Sequence, residues 1–380
     1  MYKVYRTYLN TLLDSGKYRR LAACRQHQCL DFSTNDYLNL SKHPMVIAAV
    51  NHAAHHHGVG ATGSRLLSGN NPIFTEFEAL IAADKHTQAS LIYSCGFQAN
   101  ANTLACLLDV KVLQQQALVF FDKLNHASLY QAIFLSNPEL HRYHHNDCNH
   151  LEFLLRKYQH DQRPKFIVTE TLFGMDGDIA PLNEIADLAR QHQAFLYLDE
   201  AHATGLFGLN GYGLATTINL QDIPHIIMGT FSKALGASGG YIACDELIKN
   251  YIINKSPGFI YSTAPSPAII NGALQAWRMV KSLHNARKRV QYLGNQLREK
   301  LNAQGFNTGT SATHIVPIIL QDERLCLNVQ QALMNTGVLV SVIRPPTVPP
   351  GSARLRLAIN AQHAEHDMQH FVNTLLQVIK

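Results

Sequence analysis

The sequence predicts an α/β protein, with a mostly parallel central sheet in a large domain and a smaller C-terminal α+β domain. Three observations carry this. Short apolar runs alternate with helical stretches between Ala89 and Ala243, as in successive βαβ units. The runs are continuously apolar, as buried strands of a parallel sheet are. After about Pro267 the order changes to a long helical stretch and then strands alternating with helices. A chain of 380 residues is also too long for one simple core.

Taken in order, the first 30 or so residues read as a helix and then a loop, and Ala48 to His57 reads as a helix. Gly58 to Gly69 is too rich in turn-formers to be a regular element. A helix from Pro72 to about Asp84 follows. The strand-like runs are Ala89–Tyr93, Ala117–Phe121, Phe166–Thr169, Ala194–Leu198, Ile226–Met228 and Gly240–Ala243. Beyond them one helical stretch passes through Trp277, Leu283 and Leu293 to Leu301. His314–Leu320, Val338–Ile343 and Arg354–Ile359 complete the strands, and the prolines of Arg344–Gly351 mark a rigid loop. This divides the chain into an N-terminal helix and arm (1–45), a large domain (46–267) and a small domain (268–380).

Composition excludes several classes. A hydrophobic content of 46% and a charged content of 16% describe a folded chain, not a disordered one. The formal charge of +5 suits small anionic substrates, but no basic block argues for nucleic acid. The seven cysteines, Cys24, Cys29, Cys95, Cys106, Cys148, Cys244 and Cys326, are scattered and include no C-x-x-C pair. That fits reduced thiols better than a disulfide framework. The N-terminus lacks a signal-peptide pattern, and no apolar run reaches the ~18–20 residues of a membrane span. A cytoplasmic protein with no membrane partner is the expectation.

Two of the apolar runs lead directly into polar residues. Ala194–Leu198 is followed by Asp199-Glu200-Ala201-His202, and His225–Met228 by Gly229-Thr230-Phe231-Ser232-Lys233. Open α/β sheets bind ligands at the carboxyl ends of their strands. A lysine attacks an aldehyde only when deprotonated, and a free lysine is protonated at neutral pH; holding it as an imine removes that obstacle. Asp199 follows five uncharged residues, so its carboxylate is expected to be semi-buried and in need of a partner. A pyridinium N–H suits it, and a protonated pyridine is an electron sink. Lysine and aspartate together are the minimum machinery of a pyridoxal 5'-phosphate (PLP) enzyme. Taken singly, Lys233 would read as a surface lysine and Asp199 as a helix cap. The small and apolar residues around Lys233 favour chemistry.

The remaining parts fit the same cofactor. Tyr93–Asn100 follows a strand and opens a helix, a ready anion site for a phosphate, to which Thr230 adds a hydroxyl. His202 is placed to donate to the cofactor phenolate oxygen. His126, on its own, reads as a satisfied loop histidine. His52 and His56 share a helix face, but no further ligand follows at sensible spacing, so no metal site is assigned there; His144 and His145 read the same way.

Asp199–Gly205 and Gly229–Gly236 resemble the motifs of the α-oxoamine synthases, fold-type I PLP enzymes. Ser33–Leu40, Gly63–Gly69, Asn125–Ser128, Thr169–Asp178, Tyr261–Thr263, Ile343–Pro349 and Ala353–Leu357 extend the resemblance over nearly the whole chain. Gly63–Gly69 and Ile343–Pro349 are most similar to the oxononanoate-forming branch of biotin biosynthesis. The resemblance implies an acyltransferase that joins L-alanine to a pimeloyl thioester, on CoA or on an acyl carrier protein. Its product would be 8-amino-7-oxononanoate. The alternatives are a glycine C-acetyltransferase and, in another class, a catalytically silent scaffold subunit. The last is disfavoured because Lys233, Asp199, His126 and His202 are all present.

The resemblance also implies roles. Lys233 carries the cofactor and transfers the proton, Asp199 pairs with the pyridine nitrogen, His202 with the phenolate, and His126 stacks on the ring. Gly96, Phe97 and Thr230 hold the phosphate. Ser262 and Thr263 reach the phosphate of a neighbouring subunit, which makes a homodimer with shared sites. Asn35 and Arg356 bind the amino-acid carboxylate, and Arg19 and Thr347 the acyl substrate. Three positions depart from the family pattern. Gly174 stands where a serine is usual, so that water or Thr171 would have to supply the missing hydroxyl. Gly211-Tyr212-Gly213 replaces Gly-Arg-Gly, and Phe74 stands near where a histidine is common.

Overall fold

The computed structural model describes residues 1–21 and 29–379. Cys24 and part of the loop expected after the first helix lie outside them. Among the described residues the strands are β1 (Leu30–Asp31), β2 (Ala89–Tyr93), β3 (Leu118–Asp122), β4 (Glu139–Tyr143), β5 (Lys165–Glu170) and β6 (Phe195–Asp199). Then come β7 (His225–Thr230), β8 (Gly240–Cys244), β9 (Ile315–Gln321), β10 (Val338–Leu339), β11 (Ser341–Ile343) and β12 (Ala353–Ala358). Among the described residues no helix is long and apolar enough to cross a membrane.

The chain forms two compact units. The larger spans Asn35–Phe173 and Ile179–Lys288; the other combines Met1–Thr34, Gly174–Asp178 and Arg289–Lys380. A linear division cannot express this, because β1 near the N-terminus pairs in parallel with β10, and a five-residue segment after β5 joins the C-terminal unit.

The larger unit is built on a seven-stranded sheet of order β2-β8-β7-β6-β5-β3-β4. β8 runs antiparallel to both neighbours and the other pairings are parallel. β2, β3 and β8 are buried at every residue. Each buried Val, Leu, Ile or Phe contributes about 1.5–3 kcal/mol of transfer free energy. Registers Phe166↔Phe195 and Leu196↔His225 bring the parallel strands to a common edge ending at Asp122, Glu170, Asp199 and Thr230. β4 was not expected from the sequence. It is an edge strand, Glu-Leu-His-Arg-Tyr, with one fully buried residue and no apolar run to mark it.

Two other expectations need correction. The helix ending at His57 begins at Pro44, with the His43 side chain capping its N-terminus. The long C-terminal helical stretch is two helices, Pro267–Val280 and His284–Ala303. The break is held by side chains: Ser282 Oγ donates to the Met279 carbonyl at 2.8 Å, and the Arg287 guanidinium donates to the Val280 carbonyl. Pro267–Val280 packs on Pro44–His57, where a Cβ on Gly272 would lie 2.6 Å from Val50, so glycine permits the close approach. On the same helix, Trp277 is fully buried; its indole N–H donates to Asp84 at 2.7 Å and Tyr212 stacks on it with centroids 5.1 Å apart.

In the smaller unit β9, β12 and β11 form an antiparallel sheet. Val338–Ile343, expected as one strand, is split: β10 pairs with β1, and β11 with β12. His363 stacks on Phe32 at 4.4 Å and ties the ends of this unit together. Its Nδ1 accepts from the Asn360 N–H at 3.1 Å, so Nε2 carries the proton and donates to the Asp31 carbonyl at 3.1 Å.

Candidate active site

The carboxyl edge of the large sheet collects the polar residues singled out above. β6 ends on Asp199, whose side chain is 3% exposed. Its Oδ2 accepts from Asn100 Nδ2 at 2.6 Å and its Oδ1 from the Ala201 N–H at 2.8 Å. Asn100 is held in turn: Tyr197 Oη donates to its Oδ1 at 3.0 Å, and its Nδ2 reaches Ser128 Oγ at 2.9 Å. Ser128 Oγ lies 2.7 Å from His126 Nδ1. One hydrogen-bonded chain thus runs from Asp199 to His126. Burial pushes the His126 pKa down, Asp199 opposes this and Lys233 reinforces it, and the net shift is downward.

Lys233 is half-buried in the tight loop between β7 and β8. The loop is fixed by backbone bonds from Gly236 to Lys233 and from Ala237 to Phe231, both 2.9 Å. Thr230 Oγ1 donates to the Gly239 carbonyl at 2.8 Å and lies 2.8 Å from Ser232 Oγ. The hydroxyl expected to meet a phosphate is therefore also a brace of the lysine loop. His202 is buried, and its Nδ1 lies 2.7 Å from the Tyr37 hydroxyl, which also lies 3.1 Å from Asn35 Oδ1; with the Tyr37 proton on His202 Nδ1, the other ring nitrogen, Nε2, carries the ring's N–H.

The helix Gly96–Leu107 opens at this edge. A Cβ on Gly96 would stand 3.2 Å from Thr230 Cβ, and one on Gly240 would stand 2.8 Å from Gly96 Cα. Glycine at both positions brings the helix start, Thr230 and the start of β8 together. The amides of Gly96 and Phe97 are among those a helix leaves without an internal acceptor. Phe97 is exposed and meets the His126 ring edge-on at 6.4 Å. Gln98 Nε2 reaches the Gly258 carbonyl at 2.7 Å and Ser262 Oγ at 3.2 Å, and Thr263 forms an isolated bridge with Ser64.

A buried carboxylate, a lysine on a braced loop and a helix start packed against a threonine hydroxyl fit the donor needs of PLP. The carboxylate suits a pyridinium, the lysine an aldehyde, and the cradle a phosphate.

The remaining expected residues belong to the smaller unit. Arg356 on β12 is buried, and its Nε donates to the Gly174 carbonyl at 2.5 Å. Arg354 pairs with Asp176 at 2.5 Å on the same segment. Arg19 Nη2 donates to Thr347 Oγ1 at 3.3 Å, while Arg344 donates to the carbonyls of Gly16 and Tyr18. In the larger unit, the Thr171 hydroxyl lies 3.4 Å from the Asp199 carbonyl. That bond engages the group expected to replace the missing serine hydroxyl.

Sequence reasoning missed Asn100, Ser128, Tyr37 and Arg344. Among the described residues, His144, Asp147 and His150 bring their side chains within 4.8 Å. They form a helix cap: Asp147 accepts the His150 N–H at 2.9 Å, and His150 Nδ1 accepts the His144 N–H at 3.1 Å. His52 and His56 do face each other, with ring centroids 4.4 Å apart.

This sheet order, with its strand-end aspartate and loop lysine, defines a fold-type I PLP-dependent transferase. The aminotransferase class I and II family matches residues 27–375. The chain belongs to the α-oxoamine synthases within it. It is 41% identical to an 8-amino-7-oxononanoate synthase of Gluconacetobacter diazotrophicus, over 91% of this chain and 87% of that one. A protein of Paramagnetospirillum magneticum provisionally given the same name is 43% identical over 93% and 89%. A serine palmitoyltransferase from S. paucimobilis, solved with a bound PLP–myriocin aldimine, superposes with a TM-score of 0.89. It is 28% identical, over 98% of this chain and 96% of that one. The 8-amino-7-oxononanoate synthase of Francisella tularensis superposes with a TM-score of 0.77 at 27% identity, over 92% and 97%. The protein is a PLP-dependent acyltransferase.

Proposed function

We propose that this protein condenses L-alanine with a pimeloyl thioester to give 8-amino-7-oxononanoate, carbon dioxide and the free thiol, a step of biotin biosynthesis. The observation that supports this reading is that relatives 41% and 43% identical over about nine-tenths of both chains bear the name of that product's synthase. When bound, PLP supplies an aldehyde for the lysine and a sink for charge developing at the amino-acid Cα.

The chain's own residues do the rest. Lys233 Nζ would hold the cofactor aldehyde and, when free of it, would take the substrate Cα proton and return one. Asp199 accepts the pyridine N–H and keeps that nitrogen protonated. Asn100 orients the carboxylate, since it grips Oδ2. His202, its Nδ1 held by Tyr37, meets the phenolate oxygen with Nε2. His126 stacks as a neutral ring, because burial holds its pKa down. The amides of Gly96 and Phe97 hold the phosphate, joined by the Thr230 hydroxyl when its proton turns from the Gly239 carbonyl to a phosphate oxygen, and Ser262 and Thr263 complete the site of a second copy in a homodimer.

Arg356, tethered through Nε to Gly174, binds the substrate carboxylate together with Asn35. That grip would fix the orientation of the amino acid and so which Cα bond is presented for cleavage. Arg19 and Thr347 contact the acyl substrate.

The test is a side-by-side assay of the PLP-loaded protein. It uses L-alanine, glycine and L-serine, each with pimeloyl-CoA, acetyl-CoA and palmitoyl-CoA, with products identified by mass. The alanine and pimeloyl pair should give the highest kcat/KM. Preference for glycine with acetyl-CoA, or serine with palmitoyl-CoA, would replace this reading. Repeating the favoured pair with pimeloyl-acyl carrier protein identifies the natural donor.

A further inference from the structure

Beside Asp199 lies a second buried charge pair that the reaction does not use. Asp199 and Glu200 are 3% and 0% exposed, and successive side chains leaving a strand point to opposite sides. Asp199 turns toward Asn100. Glu200 turns toward Lys85, the last residue of the helix Pro72–Lys85, whose side chain is also fully buried. Glu200 Oε2 accepts from Lys85 Nζ, and Oε1 accepts from the Ala215 N–H at 2.7 Å. Lys85 Nζ also reaches Thr204 Oγ1 at 3.4 Å and stands 5.5 Å from the centroid of the Tyr241 ring.

The pair is sealed and connected. Gly213, at φ +103°, closes over it: a Cβ there would lie 2.1 Å from Glu200 Oε2 and 2.6 Å from Lys85 Nζ. Lys85 supplies the cation for Glu200. On the other side the Tyr241 hydroxyl lies 2.9 Å from Thr204 Oγ1. Tyr241 sits opposite Gly229 on β7, where a Cβ would come within 2.3 Å of that hydroxyl. The network therefore touches both the turn that carries Asp199 and the strand that leads to Lys233.

Burial alone would push the Lys85 pKa down, but Glu200 and Tyr241 outweigh it and the net shift is upward, so the ammonium persists. Without it Glu200 is a buried carboxylate next to Asp199 with no compensating charge. Such a group takes up a proton or drags its turn toward solvent.

We propose that Lys85 is a positioning residue for the cofactor: by neutralising Glu200 it fixes the Asp199–Glu200 turn and holds the Asp199 carboxylate on the pyridine nitrogen. This rests on the assignment of Asp199 to that nitrogen made above.

The test is titration of PLP into apoprotein for the wild type, Asp199→Asn, Lys85→Met, the Lys85→Met/Glu200→Gln double variant and Lys85→Met in the Asp199→Asn background. Circular dichroism first confirms that each is folded. Lys85→Met should raise the PLP Kd about tenfold, as loss of an orienting outer-shell partner does at metal sites. The Lys85→Met/Glu200→Gln variant should return to within about threefold of the wild type, since no buried charge is left unpaired. In the Asp199→Asn background Lys85→Met should change Kd by less than about twofold, because it acts through Asp199. A merely structural role would instead give independent, multiplying effects. That result overturns the proposal, as does Lys85→Met binding PLP like the wild type while Asp199→Asn binds weakly. If Lys85→Met does not fold, a folded Lys85→Met/Glu200→Gln variant that binds like the wild type supports the proposal, and one that binds weakly overturns it. Tight binding by Asp199→Asn is a separate outcome that removes the assignment on which the proposal rests.

Discussion

Asn100 Nδ2 donates to Asp199 Oδ2 at 2.6 Å, and the same nitrogen reaches Ser128 beside His126. The carboxylate assigned to the pyridine nitrogen and the histidine assigned to the ring face are thereby set by one amide. Asn100→Ala removes a hydrogen bond to a charged group, worth about 1.5–3 kcal/mol. The expected result is a PLP Kd raised at least tenfold in a titration of apoprotein. An unchanged Kd would mean that the amide does not orient Asp199 for cofactor binding.

Lys233→Ala should abolish turnover. The loop around it is braced by Thr230, Gly236 and Ala237, so stability in urea should change by less than about 1 kcal/mol. Substantial residual acyl transfer would rule out Lys233 as the attachment point and base.

Arg356→Lys keeps the charge and loses the planar fork that both tethers to Gly174 and recognises a carboxylate. KM for the amino acid is expected to rise at least about tenfold, with PLP affinity unchanged. If KM for the acyl thioester moves instead, the two substrates have been assigned to the wrong residues.

His363 gives the smaller unit an acid-sensitive joint. Burial lowers its pKa, outweighing the opposite pull of Asp367 and Asp31. Below about pH 6.5 the unfolded chain takes up a proton that the folded chain refuses, so stability falls as pH drops toward the lowered folded value. His363→Gln removes that proton. Urea unfolding at pH 7.5 and pH 5 should show a smaller loss for the variant than for the wild type. Equal losses would place the acid sensitivity elsewhere.

The parts of the site that were legible lay at the ends of apolar runs. Asp199 and Lys233 each follow a stretch that has to be a buried strand, so their position at the sheet edge could be read directly. The resemblance to the α-oxoamine synthases supplied the roles of Arg356 and Ser262, which no local pattern marks. Asn100 left no signal, because an asparagine inside a helix reads as surface until the fold brings Asp199 to it. Lys85 and Glu200 are 115 residues apart, and nothing in one segment announces the other. β4 was invisible for the opposite reason: an edge strand buries little, so its sequence carries no apolar run. The interruption at Lys281-Ser282-Leu283 was hidden because capping there depends on Arg287 reaching back to Val280.

The chain contains one tryptophan, Trp277, and it is sealed in the larger unit against Tyr212. Its fluorescence is therefore an optical label that nature has placed on one unit only. Far-ultraviolet circular dichroism, by contrast, sums over every helix and strand. Where the two signals melt at the same denaturant concentration, the units unfold together as one cooperative body. Where emission shifts at a different concentration from the loss of ellipticity, one unit unfolds before the other, and the unlabelled protein reports it without a dye.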